Sequence, residues 1–181
     1  VVKEEQPVYG FRVLVAKDDV ESITRLKELK AMVESQRPGK WSFDGTTAIF
    51  FDKHLYQPLL AGDNTRISVT PIPLNSGERR FVEDLKRFCE MNPPILNGTE
   101  LFLLRNLSKG HGIGFFEAGN FFPDFILWLV REDDQHVVFV DPKGMLHLGK
   151  DSQKVAFHET IKEVEYRLGE PNVKLHAFLV S

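Results

Sequence analysis

The chain has 181 residues, of which 42% are hydrophobic and 27% charged, so it is long enough to bury one sizeable core. Its formal net charge of −3 argues against a domain that binds nucleic acid by positive charge alone. The sequence has no run of about 18–20 uncharged apolar residues, so it predicts no membrane-spanning helix. This composition is that of a globular protein.

The first residues and the single cysteine indicate the kind of protein and the compartment from which the sequence comes. The first residues, "VVKEEQPVYGF", contain neither an initiator Met nor a signal-peptide pattern, so we expect a piece of a longer protein. Cys89 has no second cysteine with which to form an internal disulfide and is predicted to pack as a core thiol. This cysteine usage predicts a cytoplasmic location.

Residues 1–70 alternate between predicted strands and a helix. "VYGFRVLVA" predicts a strand, and "DDVESITRLKELKAMVES" predicts a helix with an Asp cap and an apolar side that includes Leu26 or Leu29. "TTAIFF" is a further strand and "KHLYQPLL" a short helix or turn. "RISVTPIPL" is an extended segment that its prolines limit to an edge or a loop. These residues carry no chemistry that we can name, so we expect an accessory αβ segment.

Residues 71–181 are predicted to follow the order helix, three or four strands, helix and strand. The first helix lies in "NSGERRFVEDLKRFCEMNPP", with Ser76 as its cap and Phe81, Leu85 and Phe88 on its apolar side. The strands are "ELFLLRN", "GIGFFEAG", "DFILWLV" and "HVVFVD", and the acidic turn "REDDQ" joins the last two. A helix closed by Gly169 and the strand "VKLHAFLV" complete the order.

The strand "DFILWLV" is apolar on both of its faces. Such a strand needs a cover on each side, and helices are the usual cover. We therefore predict an α/β fold with a central mixed β-sheet flanked by helices.

Acidic residues mark one end of each of two neighbouring predicted strands. Asp124 follows Pro123 at the start of the first strand, and Asp141 ends the second on the same face as Lys143. If the strands pair as an antiparallel hairpin, the start of the first lies beside the end of the second. The sequence therefore predicts that Asp124, Asp141 and Lys143 meet at one edge of the sheet.

Two adjacent carboxylates raise each other's pKa unless a cation lies between them. Oxygen ligands without a Cys or His cluster favour Mg²⁺ or Mn²⁺ over Zn²⁺. Such an ion lowers the pKa of water and polarises a phosphoryl oxygen, while Lys143 positions the water or offsets developing negative charge. The predicted chemistry is phosphodiester hydrolysis.

The residues "PD" at 123–124 and "DPK" at 141–143 resemble the motif of the PD-(D/E)xK nuclease superfamily. The predicted α-β-β-β-α-β order is similar to the restriction-endonuclease-like core of that superfamily. The stretches "LNSGERRFVEDLKRF" and "GNFFPDFILWL" are similar, more narrowly, to the nuclease domain of helicase-type, type III-like restriction and defence proteins of bacteria. The resemblance covers residues 71–181.

The resemblance implies a Mg²⁺- or Mn²⁺-dependent deoxyribonuclease. Asp124 and Asp141 would be the acids that bind the metal, and Lys143 would be the catalytic lysine. Pro142 would lend its backbone carbonyl to the metal, which a proline retains. DNA is the implied partner.

A glutamate on the first core helix often completes such a site. Glu78 fits better than Glu83, because Glu78 shares a helical face with Phe81 and Leu85. Glu78 has an alternative role as a first-turn acid that complements the helix dipole.

Four further residues are auxiliary candidates. Gln153 opens "QKVAF", which is similar to the Q-x-x-x-Y element of RecB-type nucleases but ends in Phe; a solvated helix position is the alternative. Arg79, Lys150 and Lys154 are candidates for weak contacts with DNA phosphates, although charges on amphipathic helices are ordinarily solvated.

The sequence contains no G-x-x-x-x-G-K-[ST] phosphate loop. The helicase or ATPase region that the resemblance implies as a partner would therefore lie upstream of this sequence, with residues 1–70 as the link. No membrane partner is expected.

Three alternatives remain. A catalytically silent nucleic-acid-binding or docking module with the same fold would lack a motif acid or the lysine, and all three are present. A Mg²⁺ phosphohydrolase acting on small nucleotides would need a nucleotide pocket, for which the sequence shows no signature. Asp141 and Lys143 could instead form a surface ion pair, which leaves Asp124 unexplained.

Overall fold

The computed structural model describes residues 10–107, 112–115, 122–142 and 153–180, and for residues 153–156, 158 and 159 it describes the backbone alone. The elements are β1 (Arg12–Val15), α1 (Val20–Glu34), β2 (Ser42–Phe43), β3 (Thr46–Ile49), β4 (Leu59–Ala61), β5 (Ile67–Thr70), α2 (Ser76–Glu90), a 3-10 helix (Pro94–Leu96), β6 (Glu100–Arg105), β7 (Phe125–Arg131), β8 (Asp134–Asp141), α3 (Gln153–Leu168) and β9 (Val173–Leu179). Within these ranges the fold is mixed α/β, with three α-helices and several sheets. No helix in them has both the length and the apolar content that a membrane span requires.

The described residues form two compact units. The first contains residues 10–52 and Tyr56–Glu83. The second contains Lys53–Leu55 and the described residues from Asp84 onward. Helix α2 contributes residues to both units.

The first unit contains two antiparallel sheets. Strands β1 and β5 form one, and β2, β3 and β4 form the other. Asp19 caps α1, because its Oδ1 accepts the backbone N–H of Ser22 at 3.0 Å, as the sequence predicts. The buried side chains of the core are Leu29, Trp41, Phe43, Ala48, Leu60, Ile67 and Val69. Leu29 is therefore buried in this core, and Leu26 packs against it partly exposed.

The second unit contains a four-stranded mixed sheet in the order β6-β7-β8-β9. Strand β7 runs antiparallel to β6 and to β8, and β9 runs parallel to β8. Helix α3 connects β8 to β9, as a parallel connection requires a crossover. The order α2, β6, β7, β8, α3, β9 is the order predicted from the sequence for residues 71–181.

Helix α3 packs on one face of this sheet. Phe157 and Ile161, each 1% exposed, lie against apolar side chains of three strands. The buried residues of this cluster are Ile126, Phe139, Phe157, Ile161 and Leu175. The alternation in β8 that the sequence predicts, with Val137 and Phe139 on one face, is therefore the alternation observed.

Both edges of the four-stranded sheet are partly covered. His54 pairs with Leu103 of β6, and its Nε2 accepts the backbone N–H of Arg105 at 2.8 Å. On β9, the Leu175 carbonyl accepts from Lys162 Nζ at 2.7 Å, and the Leu175 N–H donates to Glu165 Oε2 at 2.6 Å. These contacts satisfy backbone groups that would otherwise face outward from edge strands.

Local predictions differ from the structure at three places. Leu59–Ala61 is a buried strand, whereas a short helix or turn was expected there. In the predicted strand "GIGFFEAG", the described residues 112–115 contribute only an isolated bridge at Phe115, and residues 116–119 lie outside the described ranges. On α2, Val82 is fully buried whereas Phe88 is 37% exposed, so the apolar side is centred nearer the start of the helix. Cys89 is partly buried.

Candidate metal centre

The β7–β8 hairpin brings two aspartates to the same end of the sheet, where β7 begins and β8 ends. Arg131 pairs with Asp134 across a two-residue turn, and Phe125 pairs with Val140 at the other end. Continuing this register by one residue places Asp124 opposite Asp141. Opposed residues of antiparallel strands have Cα atoms about 4.5–5.5 Å apart. The backbones of Asp124 and Asp141 therefore lie side by side, whereas Lys143, which the sequence predicts beside them, lies outside the described residues.

The two aspartates also belong to the same face of the sheet. Asp124 lies two residues before Ile126, and Asp141 lies two residues after Phe139, so strand alternation gives each pair a common face. Ile126 and Phe139 both pack against Phe157 of α3. The acids thus extend the face that α3 covers, beyond the apolar cluster.

Both carboxyl groups are partly withdrawn from solvent. Asp141 is 1% exposed, and both its Oδ1 and the Oδ2 of Asp124 are buried. Placing two carboxylates side by side in a poorly solvated site is costly unless a proton or a positive charge is shared between them. The geometry therefore suits a site for a cation.

Helix α3 begins at the same end of the sheet. The Phe157 ring lies 6.2 Å from that of Phe139, near the end of β8, whereas Lys162 contacts Leu175, which is opposite Val137. The helix therefore runs antiparallel to β8, and its N-terminus lies towards the Asp141 end. The positive end of the helix dipole favours negative charge at this edge.

Asn106 at the end of β6 is a buried polar residue that sequence reasoning did not select. Its backbone N–H donates to the Asp124 carbonyl at 2.9 Å, and its side chain donates to the Pro123 carbonyl at 2.9 Å. One feature of the sequence could have pointed to Asn106. It continues the alternation of Phe102 and Leu104, which lie on the face that carries the aspartates. Because the sequence does not specify the β6–β7 register, this alternation alone does not predict that Asn106 lies beside Asp124.

Glu78 takes part in the capping of helix α2, from within its first turn. Its Oε2 accepts the backbone N–H of Asn75 at 2.8 Å, and the Asn75 Oδ1 accepts the backbone N–H of Glu78 at 3.0 Å. This reciprocal pair is a capping box. The prediction of Ser76 as the cap is therefore wrong, because Ser76 is the first helical residue and Asn75 supplies the capping oxygen.

The other predicted site residues fall in four groups. Pro142 is buried and directly follows Asp141. Arg79 forms a salt bridge with Glu83 at 2.8 Å. Lys143 and Lys150 lie outside the described residues, and Gln153 and Lys154 belong to the first turn of α3, where only the backbone is described.

The donors present fit a hard divalent cation. Across residues 10–107, 112–115, 122–142 and 153–180, no group of three or more His, Cys, Asp or Glu side chains is placed to hold a metal. Magnesium keeps several of its waters and is often held by one or two carboxylates. Asp124, Asp141 and the carbonyl of Pro142 are oxygen donors of this kind, and the shielded carboxylate oxygens suit such an ion.

Comparisons of the chain with models of known protein families, with curated proteins and with solved structures found no match.

Proposed function

We propose that this chain contains a metal-dependent nuclease domain of the PD-(D/E)xK type that hydrolyses DNA phosphodiester bonds. The observation that carries the proposal is the β7–β8 register, whose extension by one residue brings Asp124 opposite the buried Asp141, with "DPK" completing the motif. The order of elements from α2 to β9 supports a restriction-endonuclease-like core.

Each residue of the proposed site has a distinct role. Asp124 and Asp141 hold Mg²⁺ or Mn²⁺ through their carboxylates, with the Pro142 carbonyl as a further donor. When bound, the ion lowers the pKa of the attacking water and stabilises negative charge on the phosphoryl group. Lys143 orients that water or offsets the charge that develops in the transition state.

DNA is the proposed substrate, and a helicase or ATPase region of the same polypeptide is the proposed partner. Both proposals come from the sequence resemblance. The net charge of −3 gives little overall attraction to DNA, so affinity in isolation should be weak, and the part that comes from Lys or Arg contacts with phosphates should fall with salt.

The test is DNA cleavage by matched variants. Plasmid and oligonucleotide DNA are incubated with the wild type, Lys143→Ala and Asp124→Asn, in Mg²⁺, in Mn²⁺ and with a chelator. We expect cleavage only with metal, and a loss of about 10²–10³-fold in both variants, because Lys143→Ala removes a charge that acts on the transition state and Asp124→Asn removes a carboxylate that holds the metal.

Lys174→Ala is the matched control, since Lys174 is exposed on the opposite face of the sheet. It should cleave as the wild type does. Equal activity of wild type and Lys143→Ala at every protein concentration would refute the proposal, and metal-independent DNA binding without cleavage would favour the catalytically silent module.

A further inference from the structure

Asn106 makes four hydrogen bonds at the point where β7 begins. Its Nδ2 donates to the Pro123 carbonyl at 2.9 Å and to the Ile113 carbonyl at 2.8 Å. Its Oδ1 accepts the Ile113 N–H at 2.9 Å, and its own N–H donates to the Asp124 carbonyl at 2.9 Å. The residue is 7% exposed, so these bonds form away from solvent.

The two bonds to residues 123 and 124 restrain both peptide planes that flank the Asp124 Cα. The Pro123 carbonyl belongs to the peptide before this Cα, and the Asp124 carbonyl belongs to the peptide after it. The β6–β7 ladder itself ends at the pairing of Arg105 with Phe125. Because both planes are anchored to one residue, the direction of the Asp124 Cα–Cβ bond is fixed beyond the end of the ladder.

An asparagine is the residue type that these contacts require. Two carbonyls need two donors, and the Ile113 N–H needs an acceptor, which is the inventory of one amide side chain. The same pattern assigns the amide orientation, since a reversed amide would direct its oxygen at two carbonyl oxygens.

The glycine at position 112 keeps the surroundings of Asn106 open. A Cβ at Gly112 would lie 2.0 Å from the Leu107 carbonyl oxygen and 2.6 Å from the Asn106 Oδ1. Any larger residue there would displace the amide or the backbone beside it. The local sequence is therefore arranged around the Asn106 side chain.

We infer that Asn106 is a positioning residue for the metal ligand Asp124: it anchors the two carbonyls that flank this aspartate and so sets the direction of its carboxylate. This inference rests on the proposed function. Groups that orient metal ligands through hydrogen bonds typically change metal affinity by about 10–100-fold when they are removed.

The first measurement is Mn²⁺ affinity by calorimetry on Asn106→Ala and Asn106→Leu, each confirmed folded by circular dichroism. Leu104→Ala is the matched control, because Leu104 is a buried residue of the same strand and face that bonds to neither carbonyl. We expect affinity to fall about 10–100-fold in both Asn106 variants and to stay unchanged in Leu104→Ala. Unchanged affinity in a folded Asn106→Ala variant would overturn the inference.

The second measurement needs no variant and no metal. In the metal-free wild type, the Asn106 side-chain amide protons and the Ile113 N–H should exchange slowly with solvent by NMR. Exchange at the rate of an unstructured peptide would overturn the inference, whatever the affinities are. Wild-type protein that binds Mn²⁺ no better than Asp124→Asn would refute the proposed function and the positioning role with it. Slow exchange in that case would show that the hydrogen bonds of Asn106 form although the proposed metal site does not.

Discussion

Glu78 carries two predictions of different kinds. The resemblance implies a metal ligand, and the position in the first turn implies an acid that stabilises the helix. The hydrogen bonds between Glu78 and Asn75 give the second role a definite geometry, because each residue satisfies a backbone N–H of the other. Carboxylate and amide side chains both serve at this position of a capping box, so the two roles can be separated by experiment.

We predict that Asn75→Ala lowers the free energy of unfolding by about 0.5–2 kcal/mol, since it removes the capping oxygen. Glu78→Gln should lower it by less, because glutamine retains the cap. Mn²⁺ affinity should stay unchanged in both, as measured by calorimetry beside chemical denaturation. Loss of affinity in Glu78→Gln at unchanged stability would instead identify Glu78 as a metal ligand.

The aspartate pair could be predicted from the sequence, whereas Asn106 could not. The position of Asp124 opposite Asp141 follows from extending the β7–β8 register by one residue, which depends on one short turn and on period-two alternation; both are local signals. The role of Asn106 depends on the pairing of β6 with β7, whose partners lie about twenty or more residues apart in the chain. Nothing near Asn106 in the sequence specifies that register.

Helices and strands were predicted most accurately where the periodic pattern of apolar residues extends over many residues. Helices α1, α2 and α3 have caps or closing residues and several turns of periodic apolar residues. Gly169, with φ of +68°, follows the end of α3 as predicted. The strand β4 was missed because it has three residues, all buried, and a run of that length has no measurable period.

The start of α1 is linked to the segment before β5 by charge. Arg66 Nε donates to Asp19 Oδ2 at 3.1 Å, and Arg66 NH1 donates to Glu21 Oε2 at 2.6 Å. The hydrogen bond from Arg66 is the largest cause that lowers the pKa of Asp19 from 3.8 to about 2, and Ser22 contributes next. The ionised carboxylate therefore joins two elements that are distant in sequence.

We predict that Arg66→Gln raises the pKa of Asp19 towards 3.8, measured by NMR titration of the carboxyl carbon. The pKa of Asp19 in the folded protein lies below its unfolded value, so the stabilisation is present above about pH 4 and is lost as the pH falls towards 2. Asp44 is the internal comparison and should shift less, because its pKa is lowered chiefly by the backbone N–H of Thr65, which the substitution retains, and only least by the charge of Arg66. An unshifted Asp19 pKa in the variant would contradict the assignment to Arg66.

At the scale of the whole molecule, the sequence predicts the fold class and the order of elements after residue 70. The sequence predicts one central mixed sheet. The described residues form a four-stranded mixed sheet in one unit and two smaller antiparallel sheets in the other. Apolar patterns identify which strands are buried, but strand partners depend on long-range pairing that the patterns do not encode. The aspartate pair of the candidate site could be predicted because the two strands of its hairpin are contiguous in sequence.

The most direct test of the metal centre is Mn²⁺ binding by calorimetry on the wild type, Asp141→Asn and Asp134→Asn. The last is a matched control, because Asp134 is exposed at the opposite end of the same strand. We predict that the wild type and Asp134→Asn bind Mn²⁺ alike, and that folded Asp141→Asn binds it at least about tenfold more weakly, since one carboxylate ligand is removed. Equal Mn²⁺ binding by Asp141→Asn and the wild type would contradict the proposed metal centre.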